Sequence, residues 1–276
     1  MARVFFWTST AFWLVMMALL FRSDILPSYL VGDSTGYRAV IGDAEAPVVR
    51  EMAVYDKEGQ EVGVSQTAIT PSPDGTYAIS NVTSIELRLG MVLSRVTALL
   101  DVRLDSRKEL TNLTLDVNAL GARASATGVR EGDKLKLKAT LNGQPFEQEL
   151  PYENGLISSY FEPFSLGSRL KVGQVWHTRI LDPLSQKFTT AEIRVVGRET
   201  IELSLRKGEP KQPIDTYKVV MDWGTTRISA WATDKGVVLK EETPLGYTLV
   251  YREMTPDDTP AGDIEVLRRE MRRPES

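Results

Sequence analysis

Lys134-Leu135-Lys136-Leu137-Lys138-Ala139-Thr140-Leu141-Asn142-Gly143 decides the fold class. Leu135, Leu137, Ala139 and Leu141 recur with period two, and lysines stand between the first of them. Successive side chains of a strand point to opposite faces, so this run has one dry and one wet face. A helix would carry residues i and i+2 to different sides and could not sort them this way. The closing Asn-Gly tolerates the positive φ of a tight hairpin turn, which sends the next strand back antiparallel.

The same alternation recurs at Leu113, Leu115 and Val117, at Ile201, Leu203 and Leu205, at Tyr217, Val219, Met221 and Trp223, and at Tyr247, Leu249 and Tyr251. Turn residues fall between such runs: Glu58-Gly59, Glu131-Gly132-Asp133, Lys207-Gly208, Trp223-Gly224 and Asp234-Lys235-Gly236. Strands without intervening helical periods predict a mostly β chain built on a large antiparallel sheet, and argue against a parallel α/β fold. Leu156 to Leu166 departs from the pattern, with Ile157, Tyr160, Phe161 and Phe164 near helical spacing but interrupted by Pro163. It reads as a short helix or crossover that divides the strands into two sets.

Farther out the organisation is fourfold. Residues 1–24 form an N-terminal membrane anchor, 25–47 a Pro- and Gly-punctuated tether with one short element at Tyr37 to Ile41, 48–256 the β domain, and 257–276 a linker and basic tail. Within that tail, Asp263 to Arg273 reads as a short helix with an acidic start and a basic end, which suits the helix dipole. Val4 to Phe21 is an uncharged run of 18 residues. As a helix it spans about 27 Å, close to the hydrocarbon thickness of about 30 Å. The competing readings are a cleaved signal peptide and a buried helix; the absence of a small-residue pair after the run favours an uncleaved, single-pass anchor. The expected location is the inner (cytoplasmic) membrane, with the C-terminal domain facing the periplasm or the cell exterior, although Arg3 before the span and Arg22 and Arg38 after it nearly balance.

The chain has 276 residues, no cysteine, one histidine and a formal net charge of −4 with both signs interspersed. Thiolate metal sites, cysteine nucleophiles, disulfides and a lipidated N-terminal cysteine are excluded, and there is no basic field to recruit nucleic acid. Gly32-Asp33-Ser34-Thr35-Gly36 matches a hydrolase nucleophile elbow, but it lies in the tether without the strand before and helix after that such an elbow needs. His177 has no neighbouring residue that marks a nucleophile. Asp182, Glu241-Glu242 and Asp257-Asp258 offer carboxylates for a glycosidase pair, but solvated faces and turns explain them more cheaply. Asn81-Val82-Thr83 and Asn112-Leu113-Thr114 match the N-glycosylation pattern. Arg268, Arg269, Arg272 and Arg273 could touch anionic lipid or a partner, or be simply solvated. No catalytic residue, metal ligand or cofactor emerges.

The remaining feature is an excess of large apolar side chains at Tyr217, Val219, Met221, Trp223, Ile228, Leu239, Leu249 and Tyr251. It reads either as sheet core or as a concavity for acyl chains or an apolar peptide. Leu170-Lys171-Val172-Gly173-Gln174-Val175-Trp176, Asp182-Pro183, Ser229-Ala230-Trp231, Asp234 to Glu242 and Leu245-Gly246-Tyr247 resemble the bacterial envelope proteins related to the lipoprotein carriers LolA and LolB. They also resemble domains of this type found beside transglutaminase-like domains. The resemblance implies an antiparallel sheet curled as an open half-barrel, with those eight residues lining an apolar concavity. It departs from LolB in lacking the lipid-bearing cysteine. The expectation is therefore a membrane-anchored, noncatalytic envelope module that binds lipid or a lipidated protein. A scaffold whose sheet docks an envelope protein is the alternative, and a serine-type hydrolase stands third.

Overall fold

The computed structural model describes residues 37, 41, 44–89, 92–119, 122–141, 143–152, 170–182, 187–206, 208–224, 226–244 and 246–253. The expected span at 4–21, the serine motif at 32–36, the crossover at 156–166 and the tail at 257–276 lie outside them. Among the described residues no helix is long and apolar enough to cross a membrane.

Among the described residues fourteen strands form one antiparallel sheet. The first eight are β1 (Val48–Tyr55), β2 (Glu61–Pro71), β3 (Tyr77–Leu89), β4 (Val92–Leu104), β5 (Leu110–Ala119), β6 (Ala122–Glu131), β7 (Lys134–Leu141) and β8 (Gln144–Pro151). The other six are β9 (Val175–Asp182), β10 (Lys187–Leu203), β11 (Gln212–Trp223), β12 (Thr226–Ala232), β13 (Val238–Glu242) and β14 (Thr248–Arg252). Each set is a meander in which neighbours in sequence are neighbours in space. The sets join through β1 and β14, leaving β8 and β9 as the two edges of the hydrogen-bonded order. The expected large antiparallel sheet is present, and it is open.

Five hairpins share one turn. At Asp56–Gln60, Ser72–Thr76, Asp105–Glu109, Thr233–Val237 and Thr243–Tyr247 the first residue exchanges backbone bonds with the fourth and fifth. Its side-chain oxygen reinforces the loop in several cases: Asp56 Oδ1 accepts from the Gln60 N–H at 2.8 Å, and Asp105 Oδ1 from the Glu109 N–H at 2.9 Å. The fourth position needs positive φ. Glycine fills it in four turns, whereas Lys108 occupies it in the fifth at φ 62°.

The register shows that the two meanders share one face. Val195, Val219, Ala230, Glu241, Leu249, Val54, Gly63, Ile85 and Val96 are successive cross-strand partners from β10 to β4, so their side chains point to one side. We call this side the inner face. One core cluster on it packs Trp176, Ile193, Val195, Val219, Met221 and Ile228. The second packs Ile69, Ile79, Leu100, Val102, Leu113 and Leu135 together with Tyr37 and Ile41. Tyr37 and Ile41, expected within the tether, are therefore core residues: both are in helical conformation and almost wholly buried. The folded part extends upstream of Val48 because these two side chains, one helical turn apart, close the β2–β7 cluster.

Gly128 permits that cluster to close, since a Cβ there would meet Leu113 and Leu137 side-chain carbons at 2.8–2.9 Å. Replacing Lys108 by glycine relieves the left-handed strain and should stabilise the protein by about 0.5–1 kcal/mol, read as a rise in Tm of a few degrees. An unchanged or lower Tm would show that the turn does not strain Lys108.

Candidate functional site

The eight apolar residues singled out by sequence do not form a uniform surface. Tyr217, Val219, Met221 and Trp223 on β11, Ile228 on β12, and Leu249 and Tyr251 on β14 share the inner face. Leu239 stands beside Val238 where β13 changes register against β12. Val219, Met221, Ile228 and Leu239 are buried, whereas Tyr217, Trp223, Leu249 and Tyr251 are half-buried. The first group is packed within the protein, and any ligand contact falls to the second.

Half-buried residues also line the inner face at the β14–β1 junction. Tyr251 pairs with Met52 and Leu249 with Val54; Met52 is likewise half-buried, and the strip lies between two core clusters that do not merge. Burial raises the Tyr251 hydroxyl pKa, Glu253 adds to the rise, and nearby Arg50 opposes it. Two polar features border the strip. Glu241, between Ala230 and Leu249, is a buried carboxylate. Across β2 and β3 the Asn81 amide donates to Thr67 Oγ1 at 2.9 Å and Ser65 Oγ at 3.1 Å, while Thr83 Oγ1 donates to Asn81 Oδ1 at 3.0 Å. These groups help to fix the register of the inner face.

Asn81 is thus inward, bonded and 2% exposed, which removes it as a glycosylation site in the folded chain; Asn112 is exposed. The Tyr37 hydroxyl is buried and has no hydrogen-bond partner among the described residues. Burial, and then Tyr152, push its pKa far above the usual tyrosine range. Tyr152 itself accepts the Leu110 N–H at 3.0 Å, with the Arg130 guanidinium 4.1 Å over its ring.

The opposite, outer face is charged. It carries Lys136–Glu131 at 2.7 Å, Lys138–Glu147 at 3.1 Å and Arg227–Asp222 at 2.7 Å. Such a surface differs from the apolar outward band of a lipid-embedded barrel. His177 lies there too, its Nε2 3.6 Å from Glu192 Oε2 and its side chain mostly exposed. Glu241 and Glu242 point to opposite faces, Glu242 outward against Lys240 at 2.6 Å, so the adjacent carboxylates cannot act as a pair. Among the described residues no three His, Cys, Asp or Glu side chains converge to hold a metal.

Sequence reasoning missed an outer-face brace around Trp231. The Trp231 indole N–H donates to Glu199 Oε2 at 2.8 Å, and Lys218 and Lys240 lie over the ring at 5.0 and 4.4 Å. Only strand register brings these four together, through Lys218, Trp231 and Lys240 as cross-strand partners.

No family model matches the chain, and no curated protein matches it. Among solved structures, a β-barrel-like protein of the domain of unknown function DUF1849 from Brucella abortus is similar at TM-score 0.46 and 8% identity, over 75% of this chain and 94% of that one.

The indole bond, aided by Lys218 and Lys240, holds the Glu199 carboxyl below its ordinary pKa. A depressed folded-state pKa contributes stability that is complete above the unfolded value and is lost as pH falls through the folded one. Glu199→Gln should therefore remove part of the acid destabilisation below about pH 4, measured by Tm against pH beside the unaltered protein. Parallel acid profiles would show that Glu199 takes no part in this linkage.

Proposed function

We propose that the protein is a membrane-anchored, noncatalytic envelope module whose inner face holds an apolar ligand, an acyl chain of lipid or of a lipidated protein. The observation that carries this reading is the half-covered strip of Leu249, Tyr251 and Met52 lying between two packed apolar clusters on one face. An acyl chain laid along it would adjoin the two apolar clusters and an Asn81 network whose groups are bonded to one another, with the Glu241 carboxylate buried beside Leu249. A half-barrel curvature of the sheet, like that of the LolA/LolB-related carriers, would make the strip a groove. The anchor is residues 4–21, which place the domain beside a bilayer that supplies such chains.

The test uses the full-length protein in mild detergent and a fluorescent fatty-acyl probe. Burying about ten CH₂ groups at ~0.8 kcal/mol each gives about 8 kcal/mol, in the micromolar range. Micromolar binding by the unaltered protein, lost in Leu249→Glu with Tm retained, is the expected result. No binding by the unaltered protein would overturn the reading and leave the strip as part of the core. Carbonate extraction of host membranes should leave the chain in the membrane fraction, and release of an intact chain would refute the anchor.

A further inference from the structure

Antiparallel pairing sends alternate connections to opposite ends of a sheet, and here the two ends differ in kind. At one end the connections are Ser72 to Thr76, Asp105 to Glu109, Gly132-Asp133, Ser204 to Lys211 and Thr233 to Val237, and each carries a charged residue. At the other they read Gly90-Met91, Leu120-Gly121, Asn142-Gly143, Pro183 to Gln186, Gly224-Thr225 and Thr243 to Tyr247, with no charged residue among them. The β1–β2 turn, Asp56 to Gln60, is the charged exception at that end. Turns that face water ordinarily carry charge, so neighbouring connections without any mark a contact surface.

The β3–β4 hairpin indicates what is contacted. Its pairs from Glu86↔Arg95 to Leu89↔Val92 lie beyond the last partner of β2, at Ile85, and the first partner of β5, at Thr97. They carry a two-stranded ribbon about 13 Å past its neighbours at about 3.3 Å per residue. Register places Leu87, Leu89 and Val92 at inner-face positions and Leu93 at an outer-face one, where it is 62% exposed. A partner protein covers one face of a ribbon, whereas hydrocarbon surrounds both. We propose that this end of the sheet meets a lipid bilayer and that the projecting hairpin enters the acyl boundary. Surface-bound elements sink about 5–10 Å into that boundary, within the reach of the ribbon. Half-buried Trp223 and Tyr247 stand at the same end, as amphipathic rings do at headgroup level. Arg88 and Arg123 directly follow the strand ends Leu89 and Ala122 inward, at outer-face positions and at the depth of anionic phosphates. The inference needs a bilayer and is independent of an acyl ligand on the inner-face strip.

The chain has no cysteine, so a single thiol carries an environment-sensitive nitrobenzoxadiazole label in the full-length protein. Leu93→Cys reads the uncharged end, and Ser106→Cys, exposed in the β4–β5 turn, reads the charged one. In vesicles of phosphatidylethanolamine and phosphatidylglycerol, doxyl-labelled phospholipid should quench the label at Leu93→Cys at least about fivefold more strongly than at Ser106→Cys. Iodide in the aqueous phase should show the reverse order. Adding Met91→Asp and Val92→Asp should bring lipid quenching at Leu93→Cys down to that of the control, with the β-type circular dichroism unchanged. Flotation of the chain with the vesicles reports residues 4–21 separately, so loss of the anchor is distinguished from loss of this contact. Equal lipid quenching at the two sites would overturn the inference. So would quenching that survives both aspartates, or shielding from iodide without lipid quenching, which would place protein rather than lipid against this end.

Discussion

Arg252 fastens the last strand to the first. Its guanidinium meets Glu61 at 2.9 and 2.6 Å and the Tyr55 hydroxyl at 2.7 Å, with Glu51 3.7 Å away. The side chain is 12% exposed, and the Glu61 bond, then Tyr55, outweigh burial and keep it firmly protonated. A forked, charge-assisted contact of this kind combines strength with fixed geometry. It sits on the β1–β14 junction, the pairing that makes two meanders into one sheet. Every cross-strand row from β10 to β4 passes through that junction, so the shared inner face depends on it.

The junction also explains how the inner face is divided. On either side of it the apolar side chains pack into separate clusters, one around Val219 and Met221, the other around Val102 and Leu113. Between them stand a buried carboxylate, a bonded amide and hydroxyl network, and the half-buried pair Tyr251 and Met52. Polar groups so placed penalise slippage, because a shift of one residue would carry Asn81 outward and strand its partners. Register and the division of the inner face are thus set by the same few residues. The outer face obeys the opposite rule, with charges paired across strands.

Much of the sheet was legible in the sequence because strand faces are a local property. Lys134 to Leu141 announces its two sides within eight residues, and Leu135 is indeed buried while Lys134, Lys136 and Lys138 are exposed. The turns at Gly59 and Gly236 were legible for the same reason, but those at Gly75 and Gly246 were not singled out, and Asp105–Glu109 carries no glycine because Lys108 occupies the position where glycine is the signal. The junction left no local trace, as Arg252 and Glu61 stand 191 residues apart. Tyr37 and Ile41 supply a single helical period, too short to separate a core turn from a tether. The apolar stripe was found by residue type, yet type alone could not separate packed Val219 and Met221 from half-buried Leu249 and Tyr251. That distinction belongs to the strands standing beside each residue.

The central claim is that the two meanders are one cooperative sheet joined at β1 and β14. Hydrogen-exchange mass spectrometry of the full-length protein under mild denaturant tests it most directly, because it assigns an opening free energy to each strand. The account predicts that β1, β14 and the inner strands of both meanders exchange through one common opening, and that Arg252→Ala accelerates both sides together. Independent opening of β9–β13 while β1–β7 stay protected would contradict it.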